Sequence, residues 1–348
     1  LARALVESVP DSVTLIGVRP DGPLADLEPR HVGSRLSSRR RHIAWVLRDA
    51  DADSRRGGAV MAHWTNAIAP VRARLPFVLT IHDLSLLRLP HLHPPSRLAA
   101  IPLVAMAARR ARMIVVPSLA TSREVQRMLG IPVRRIAIVP EAPATGLDTI
   151  EASDAEQRRR RLGLREPYVA SVGTREPRKN TARLVEAFGR IASQDPELRL
   201  VLVGPEGWRA RGIERAIADS PHRSRILSLG YLGDLDLAAV IAGASVFAYV
   251  SSYEGFGLPV LEAMALHTPV VTSRVSALPE TAGGAAVLVD PMDTGAIARG
   301  IAEALTRRDE LVARGTARVA SRDWSAVAAD TVDVYRHVAR SLDSSSAA

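Results

Sequence analysis

The sequence predicts an α/β protein made of two doubly wound parallel-sheet domains, and three observations lead there. Its 348 residues exceed what one hydrophobic core ordinarily organises. Short continuous apolar runs alternate along it with amphipathic helical stretches. The alternation breaks off once, near 142–165, and then begins again. No period of roughly 20 to 50 residues repeats, which excludes solenoids and propellers.

In the first half the strand-like runs fall at 12–17, 43–47, 59–62, 77–81, 113–116 and 135–139. In the second half they fall at 168–172, 198–203, 225–229, 246–250, 269–272 and 286–289. Runs this short and unbroken suit strands buried on both faces, as parallel strands with helical crossovers are. Pro143, Gly146 and the polar stretch 151–161 carry no strand signal. They set a linker at 146–165 between a first domain, 1–145, and a second, 166–325. A helix is expected to close the chain at 326–340, and the Ser-rich 341–348 to be disordered. Leu1-Ala-Arg-Ala-Leu-Val-Glu reads as the interior of a helix, so a preceding segment is expected. Two such domains predict a cleft at the carboxyl ends of both sheets, where open α/β sheets take their ligands.

Composition removes several function classes. The chain has no cysteine, which excludes disulfide frameworks, thiolate metal sites and thiol nucleophiles. It has no run of the roughly 18 apolar residues that a membrane span needs and no basic-then-apolar leader, so it reads as cytoplasmic. The formal charge is +9, with arginines clustered at Arg39 to Arg41, Arg109-Arg110 and Arg158 to Arg161. No aromatics interleave them for base stacking, which argues against a nucleic-acid partner. An anionic substrate or the anionic inner face of the plasma membrane suits the charge better, as do plain solvated helix faces.

Three segments carry chemistry. The first runs Tyr249-Val-Ser-Ser-Tyr-Glu254-Gly-Phe-Gly-Leu-Pro-Val-Leu-Glu262. A strand ends, glycines follow, and Pro259 opens a helix, where its missing N–H costs nothing. The N–H groups of Phe256, Gly257 and Leu258 are expected to form an anion site suited to a diphosphate. Glu254 precedes that helix. Glu262 lies one turn inside it among apolar neighbours and calls for a partner such as a ribose hydroxyl pair; complementing the helix dipole is the plainer alternative. The second segment is Val172-Gly173-Thr-Arg175-Glu-Pro-Arg178-Lys179-Asn180, in which Asn180 is expected to cap the next helix. Arg175, Arg178 and Lys179 would crowd that helix's amino end, which makes sense around a phosphate; pairing with Glu176 is the alternative. The third is Thr80-Ile-His82-Asp83-Leu84, which places His82 at the carboxyl end of a strand, able to donate to a sugar hydroxyl or to act as a turn residue. Asp51-Ala-Asp53 resembles a metal-binding pair but sits among arginines in an expected loop, and His91-Leu-His93 lacks a third ligand, so no metal site is expected.

Glu254-x7-Glu262 with its Gly-Phe-Gly-Leu-Pro core closely resembles the signature of the family-four retaining glycosyltransferases. The His82 segment, the Lys179 segment and Gly230-Tyr-Leu-Gly-Asp234 agree in order, and the resemblance covers nearly the whole chain. It implies the GT-B architecture, two Rossmann-like domains facing each other across a cleft. It also implies a hexosyltransferase that uses a GDP- or UDP-linked sugar as co-substrate, with no cofactor and no divalent metal. Glu254 would contact the transferred sugar and Glu262 the donor ribose, while Lys179 with Arg178 or Arg175 would hold the diphosphate. The backbone of Gly173, Phe256, Gly257 and Leu258 would complete the donor cradle, and His82 would approach the sugar. Thr174 stands where the family usually has a basic residue, which leaves Arg175's part less defined. Similarity to bacterial mannosyl- and rhamnosyl-type members implies an acceptor on a cell-envelope glycan or lipid-linked saccharide. The family also opens with a strand and a Gly-rich loop that this chain does not show. A nucleotide-sugar epimerase of the same fold, or a truncated non-catalytic relative binding nucleotide or lipid, are the alternatives.

Overall fold

The computed structural model describes residues 1–9, 12–14, 39–144, 146 and 150–346. They form two compact units, Leu1–Pro90 with Pro95–Glu141 and Trp324–Ala348, and His91–Pro94 with Ala142–Asp323.

The first unit holds a four-stranded parallel sheet in the order β1-β2-β3-β4: β1 Ala62–Trp64, β2 Phe77–Thr80, β3 Met113–Val116 and β4 Ile136–Ile138. Strands β2 and β3 are buried along their whole length, as their unbroken apolar runs require. Phe77, Leu79, Ile114 and Val116 pack with Val104 and Ala108 of helix Ile101–Arg110 and Val125 and Leu129 of helix Leu119–Leu129. The second of these helices is bounded by local chemistry. The Ser118 hydroxyl accepts from the Thr121 N–H at 3.0 Å, and Gly130 ends it in the left-handed conformation.

Three expectations for this unit change. Residues 43–47 are not a strand but part of helix Arg39–Arg48. An apolar run of five does not by itself distinguish strand from buried helix turn; here Trp45 packs on Ala50 and Trp64, and its indole N–H donates to Asp53 at 2.7 Å. The run expected at 59–62 begins only at Ala62. Of 12–17, residues 12–14 are not strand and the rest lie outside the described residues. Asp51 and Asp53 belong to helix Ala50–Arg56 rather than a loop. Asp51 is buried and accepts from the Arg74 and Leu75 N–H groups, which is structural work.

The closing helix is longer than its sequence suggests, Trp324–Ser346, and takes in most of the tail expected to be disordered. Its Ala328 and Val332 pack on Ala4 and Leu5 of helix Ala2–Ser8. Apolar positions at a three-to-four-residue spacing outweigh the low helix propensity of the terminal serines.

The second unit holds a six-stranded parallel sheet: β5 Tyr168–Val172, β6 Arg199–Val203, β7 Ile226–Ser228, β8 Val246–Tyr249, β9 Val270–Ser273 and β10 Val287–Val289. The order β10-β9-β8-β5-β6-β7 places the first strand beside the fourth and winds outward in both directions, which is Rossmann topology. Successive side chains divide between two cores, as strand geometry demands. Leu200, Leu202, Val246 and Ala248 face helices Thr181–Ala192 and Thr294–Thr306. Val201, Val203, Phe247 and Tyr249 face helices Asp234–Ala242 and Leu258–Ala265. The expected linker contains helix Ala152–Arg161, which is fixed to this unit by Arg158 pairing with Asp236 at 2.8 Å.

Candidate active site

A doubly wound sheet opens a crevice where neighbouring strands lead their connections to opposite faces. In the second unit that point lies between β5 and β8. The loop after β5 carries Gly173 to Asn180 and the loop after β8 carries Ser251 to Gly257, so two of the three segments singled out in the sequence leave adjacent strand ends.

The first loop is locked before any side chain is placed for chemistry. Asn180 takes the left-handed conformation (φ 60°) between the turn Pro177–Lys179 and helix Thr181–Ala192. Its side chain does not cap that helix, as the sequence suggested. The buried amide donates instead to the carbonyls of Val250 at 3.0 Å and Pro291 at 2.6 Å, tying three segments together. The Ser252 N–H donates to the Arg178 carbonyl at 2.9 Å and joins the two site loops directly. Gly173 is favoured at its place by its backbone: φ 147° is a conformation that residues with a side chain rarely adopt, and the Lys179 stem runs beside it.

Lys179, Arg178 and Glu254 converge at the switch point. The Lys179 ammonium donates to Glu254 Oε1 at 2.7 Å and to the Tyr249 hydroxyl at 2.6 Å, and the Tyr249 hydroxyl donates to the same carboxylate oxygen at 2.9 Å. Arg178 donates to Glu254 Oε2 at 2.8 Å and, through Nη2, to Glu176 at 3.0 Å. Glu254 is buried. Burial alone would push its carboxyl upward, but the charges of Lys179 and Arg178 outweigh that and hold it below the usual carboxylate range. Burial pushes the Tyr249 hydroxyl well above its ordinary value, with the Glu254 charge adding to the shift. The anion that Arg178 and Lys179 gather around here is therefore a protein carboxylate, and Glu176 takes part as well. Arg175 stands apart. Its Nε is buried without a hydrogen-bond partner, and it lines a small recess with Gly173, Lys179, Thr181 and Tyr249.

Behind Glu254 the chain turns into helix Leu258–Ala265 at Gly257, whose φ of 108° favours glycine and where a Cβ would lie 2.6 Å from Leu278. The Phe256 ring is buried in the core, and its carbonyl accepts from the Thr281 hydroxyl at 2.6 Å. Only its backbone, with Gly257 and Leu258, lies at the helix's amino end, where N–H groups lack intrahelical partners. Glu262 is half-buried, and its carboxylate makes no hydrogen bond among the described residues. Burial, then the neighbouring Asp234 charge, raises its carboxyl above the usual range. Asp234 ends the segment that begins at Gly230, so that segment and Glu262 come together.

His82, in the first unit, follows the carboxyl end of β2. Its Nε2 donates to the Thr65 carbonyl at 3.0 Å and its Nδ1 meets Glu141 at 2.9 Å. Both ring nitrogens face acceptors, so the Glu141 carboxylate draws the imidazole toward the protonated form and raises its pKa.

Comparison with known proteins identifies the family. The family model described as Glycosyl transferases group 1 matches residues 153–318, and that described as Glycosyltransferase Family 4 matches 1–142. The O-antigen chain mannosyltransferase B of Escherichia coli is 33% identical over 311 residues, covering 85% of this chain and 77% of that protein. The chain is a family-four glycosyltransferase. The MMP alpha-(1->4)-mannosyltransferase of Mycolicibacterium hassiacum is 34% identical over 238 residues, and there the match spans 66% of this chain and 54% of the relative. In fold, the glycosyltransferase superposes on a glycosyltransferase from Rickettsia africae with TM-score 0.74 at 13% identity, covering 97% and 94% of the two chains. It superposes on a sucrose-phosphate synthase from Thermosynechococcus elongatus with TM-score 0.70 at 23% identity, covering 92% and 82%. The architecture is GT-B.

The sequence reading of this glycosyltransferase missed Tyr249 and Glu141; it offered Glu176 as an alternative partner for the cations, which Arg178 bears out, and quoted Asp234 without a role. One unread signal was available: Lys179 is the only lysine in the chain, although Lys and Arg together number 46. A chain that uses arginine everywhere else has kept a compact ammonium on a flexible stem at this position. Among the described residues no helix is long and apolar enough to cross a membrane.

Proposed function

We propose that this glycosyltransferase moves a mannose-like hexose from a GDP- or UDP-linked sugar to a hydroxyl of a glycan or lipid-linked saccharide, with retention at the anomeric carbon. One observation carries the reading: Lys179 and Arg178 meet on Glu254 at the β5–β8 switch point, beside an Arg175 whose Nε has no partner. A donor diphosphate would meet Arg175 and take over part of the Lys179 and Arg178 hydrogen bonding, with the N–H groups of Gly257 and Leu258 completing the cradle. Glu254 would then turn to the hydroxyls of the transferred sugar, and Glu262 would accept from the ribose. The hexose follows the names of the relatives, an O-antigen chain mannosyltransferase and an MMP mannosyltransferase.

In the reaction the bond from the anomeric carbon to the diphosphate oxygen breaks, and a bond to the acceptor oxygen forms on the same face. The acceptor's proton passes to the departing phosphate. Lys179 and arginine stabilise the charge that grows on that leaving group, a task for which other enzymes use a divalent ion. Thermal unfolding with GDP, UDP, ADP and no nucleotide tests the donor assignment. Free ligand at about a hundredfold above its dissociation constant adds roughly 2.7 kcal/mol. One nucleotide should stabilise the wild type and not Glu262→Ala. Interconversion of the sugar nucleotide without any acceptor would instead identify an epimerase, and turnover abolished by chelation and restored by a divalent ion would overturn the metal-free reaction.

A further inference from the structure

Several arginines elsewhere among the described residues sit in ion pairs. Arg158 pairs with Asp154 and Asp236, Arg159 with Glu166, and Arg307 with Glu303 and Glu310. One edge of the first unit is different. In a parallel sheet every strand starts at the same edge, and the segments entering β2, β3 and β4 bring Arg72 and Arg74, then Arg109, Arg110 and Arg112, then Arg134 and Arg135, to that edge.

Hydrogen bonds knit these segments into one surface. Arg110 donates to the carbonyls of Val71 and Ala73, and Arg135 to those of Ala108, Arg109 and Ala111. Arg112 and Arg134 lie close enough to Arg135 to repel its charge. The other five (Arg72, Arg74, Arg109, Arg112 and Arg134) are exposed, and among the described residues none has a carboxylate within ion-pair distance. The segments 57–76, 105–118 and 128–140 contain no Asp or Glu. Exposed apolar side chains stand among these cations: Val71 is 42% and Val133 65% exposed, and Val60, entering β1, is 83% exposed.

We propose that this edge docks the enzyme on an anionic phospholipid surface. Unpaired guanidinium groups supply attraction to lipid phosphates over about one Debye length, and the valines are placed to enter the headgroup layer. Stacking aromatics, which a single-stranded nucleic acid would use, are missing from the segments entering β2, β3 and β4. Docking by the amino edge leaves the opposite, carboxyl edge of the sheet, where His82 lies, open to solution. The proposal is independent of the donor and acceptor assigned above, because its readout needs no turnover.

Flotation of the full chain with phosphatidylcholine vesicles, with and without about 30% phosphatidylglycerol, tests it. Binding is expected only to the anionic vesicles, and it should fall steeply as salt rises from about 0.1 to 0.5 M. The triple variant Arg72→Gln/Arg74→Gln/Arg134→Gln should weaken partitioning about a hundredfold, at about fivefold per arginine, with its unfolding midpoint unchanged. Arg215→Gln/Arg223→Gln, on the second unit, should leave partitioning unchanged. Equal binding to neutral vesicles, no binding to either, or a triple variant that floats like the wild type would each overturn it. So would salt-sensitive retention on duplex DNA without vesicle binding.

Discussion

Lys179 and Glu254 form a 2.7 Å ion pair in which the ammonium also holds the Tyr249 hydroxyl, so one cation organises both polar groups at the end of β8. Lys179→Ala leaves a buried carboxylate with Arg178 and Tyr249 alone. The variant should lose about 3 kcal/mol of stability, the lower end of what breaking a buried pair costs. Its turnover should fall at least about a hundredfold, the scale of a lost charge-stabilising donor. Lys179→Arg should restore most of the stability and little of the turnover. Near-normal turnover in the alanine variant would remove Lys179 from the chemistry. Because the Glu254 pKa lies below its unfolded value, its contribution is present above about pH 4.3. It is lost as pH falls through the depressed folded value.

The single lysine gives a direct view of the site. Reductive methylation with ¹³C-formaldehyde should yield one ε-dimethylamine resonance, from Lys179. Exchanging a carboxylate neighbour for a diphosphate should move that resonance when the donor nucleotide is added. A resonance that stays put at saturating nucleotide would mean the Lys179–Glu254 pair persists and the phosphates bind elsewhere.

Glu262 should respond in the opposite sense from Glu254. Burial and the Asp234 charge raise its pKa, so its stabilising share is present below about pH 4.3 and disappears as pH climbs through the raised folded value. At neutral pH without ligand its carboxylate is therefore a cost. Glu262→Gln should raise the unfolding midpoint of the ligand-free enzyme at pH 7 while weakening nucleotide binding about tenfold or more, as the loss of a charged hydrogen bond to a ribose would. A variant less stable than the wild type and equally good at binding would make Glu262 a structural residue.

These three residues also mark how far the sequence could be read. The sheet of the second unit was legible strand by strand, because fully buried parallel strands are written as unbroken apolar runs and both cores draw on them. Residues 43–47 were not, since Trp45 settles its face only against Trp64, a partner 19 positions away that no local pattern announces. Glu254, Glu262 and Lys179 stood out through glycines, a proline and crowded charge. Tyr249 and Glu141 did not, because each acquires its part from a contact made by the fold: Tyr249 reads as an ordinary strand residue, and Glu141 meets His82 across 59 positions.

The His82–Glu141 pair predicts a shifted titration. The imidazole pKa should lie above the ordinary 6.5, and in Glu141→Gln it should fall back toward that value, read from the ring-proton shift of His82 across pH 5 to 9. The stabilising share of the pair is complete below about pH 6.5 and is lost as pH rises through the raised folded value. An unchanged titration in the glutamine variant would mean that the Thr65 carbonyl alone sets the ring.

His63 should titrate the other way in the same unit, and the contrast separates the two. Its Nδ1 meets the Tyr335 hydroxyl at 2.6 Å and its Nε2 the Thr80 hydroxyl at 2.7 Å, which keys the closing helix to the ends of β1 and β2. Burial, with the nearby His82 charge, pushes its pKa down to about 4. The unfolded chain takes up this proton near pH 6.5, whereas the folded chain refuses it until about pH 4. Stability from this group is therefore complete above pH 6.5 and drains away as pH falls through that window, by up to about 3 kcal/mol. Denaturant unfolding at pH 7, 6, 5 and 4 should show the wild type losing stability faster than His63→Asn, which starts lower and stays flatter. Parallel losses in the two proteins would mean that His63 is protonated in the fold and that its two hydroxyl partners are not holding a neutral ring.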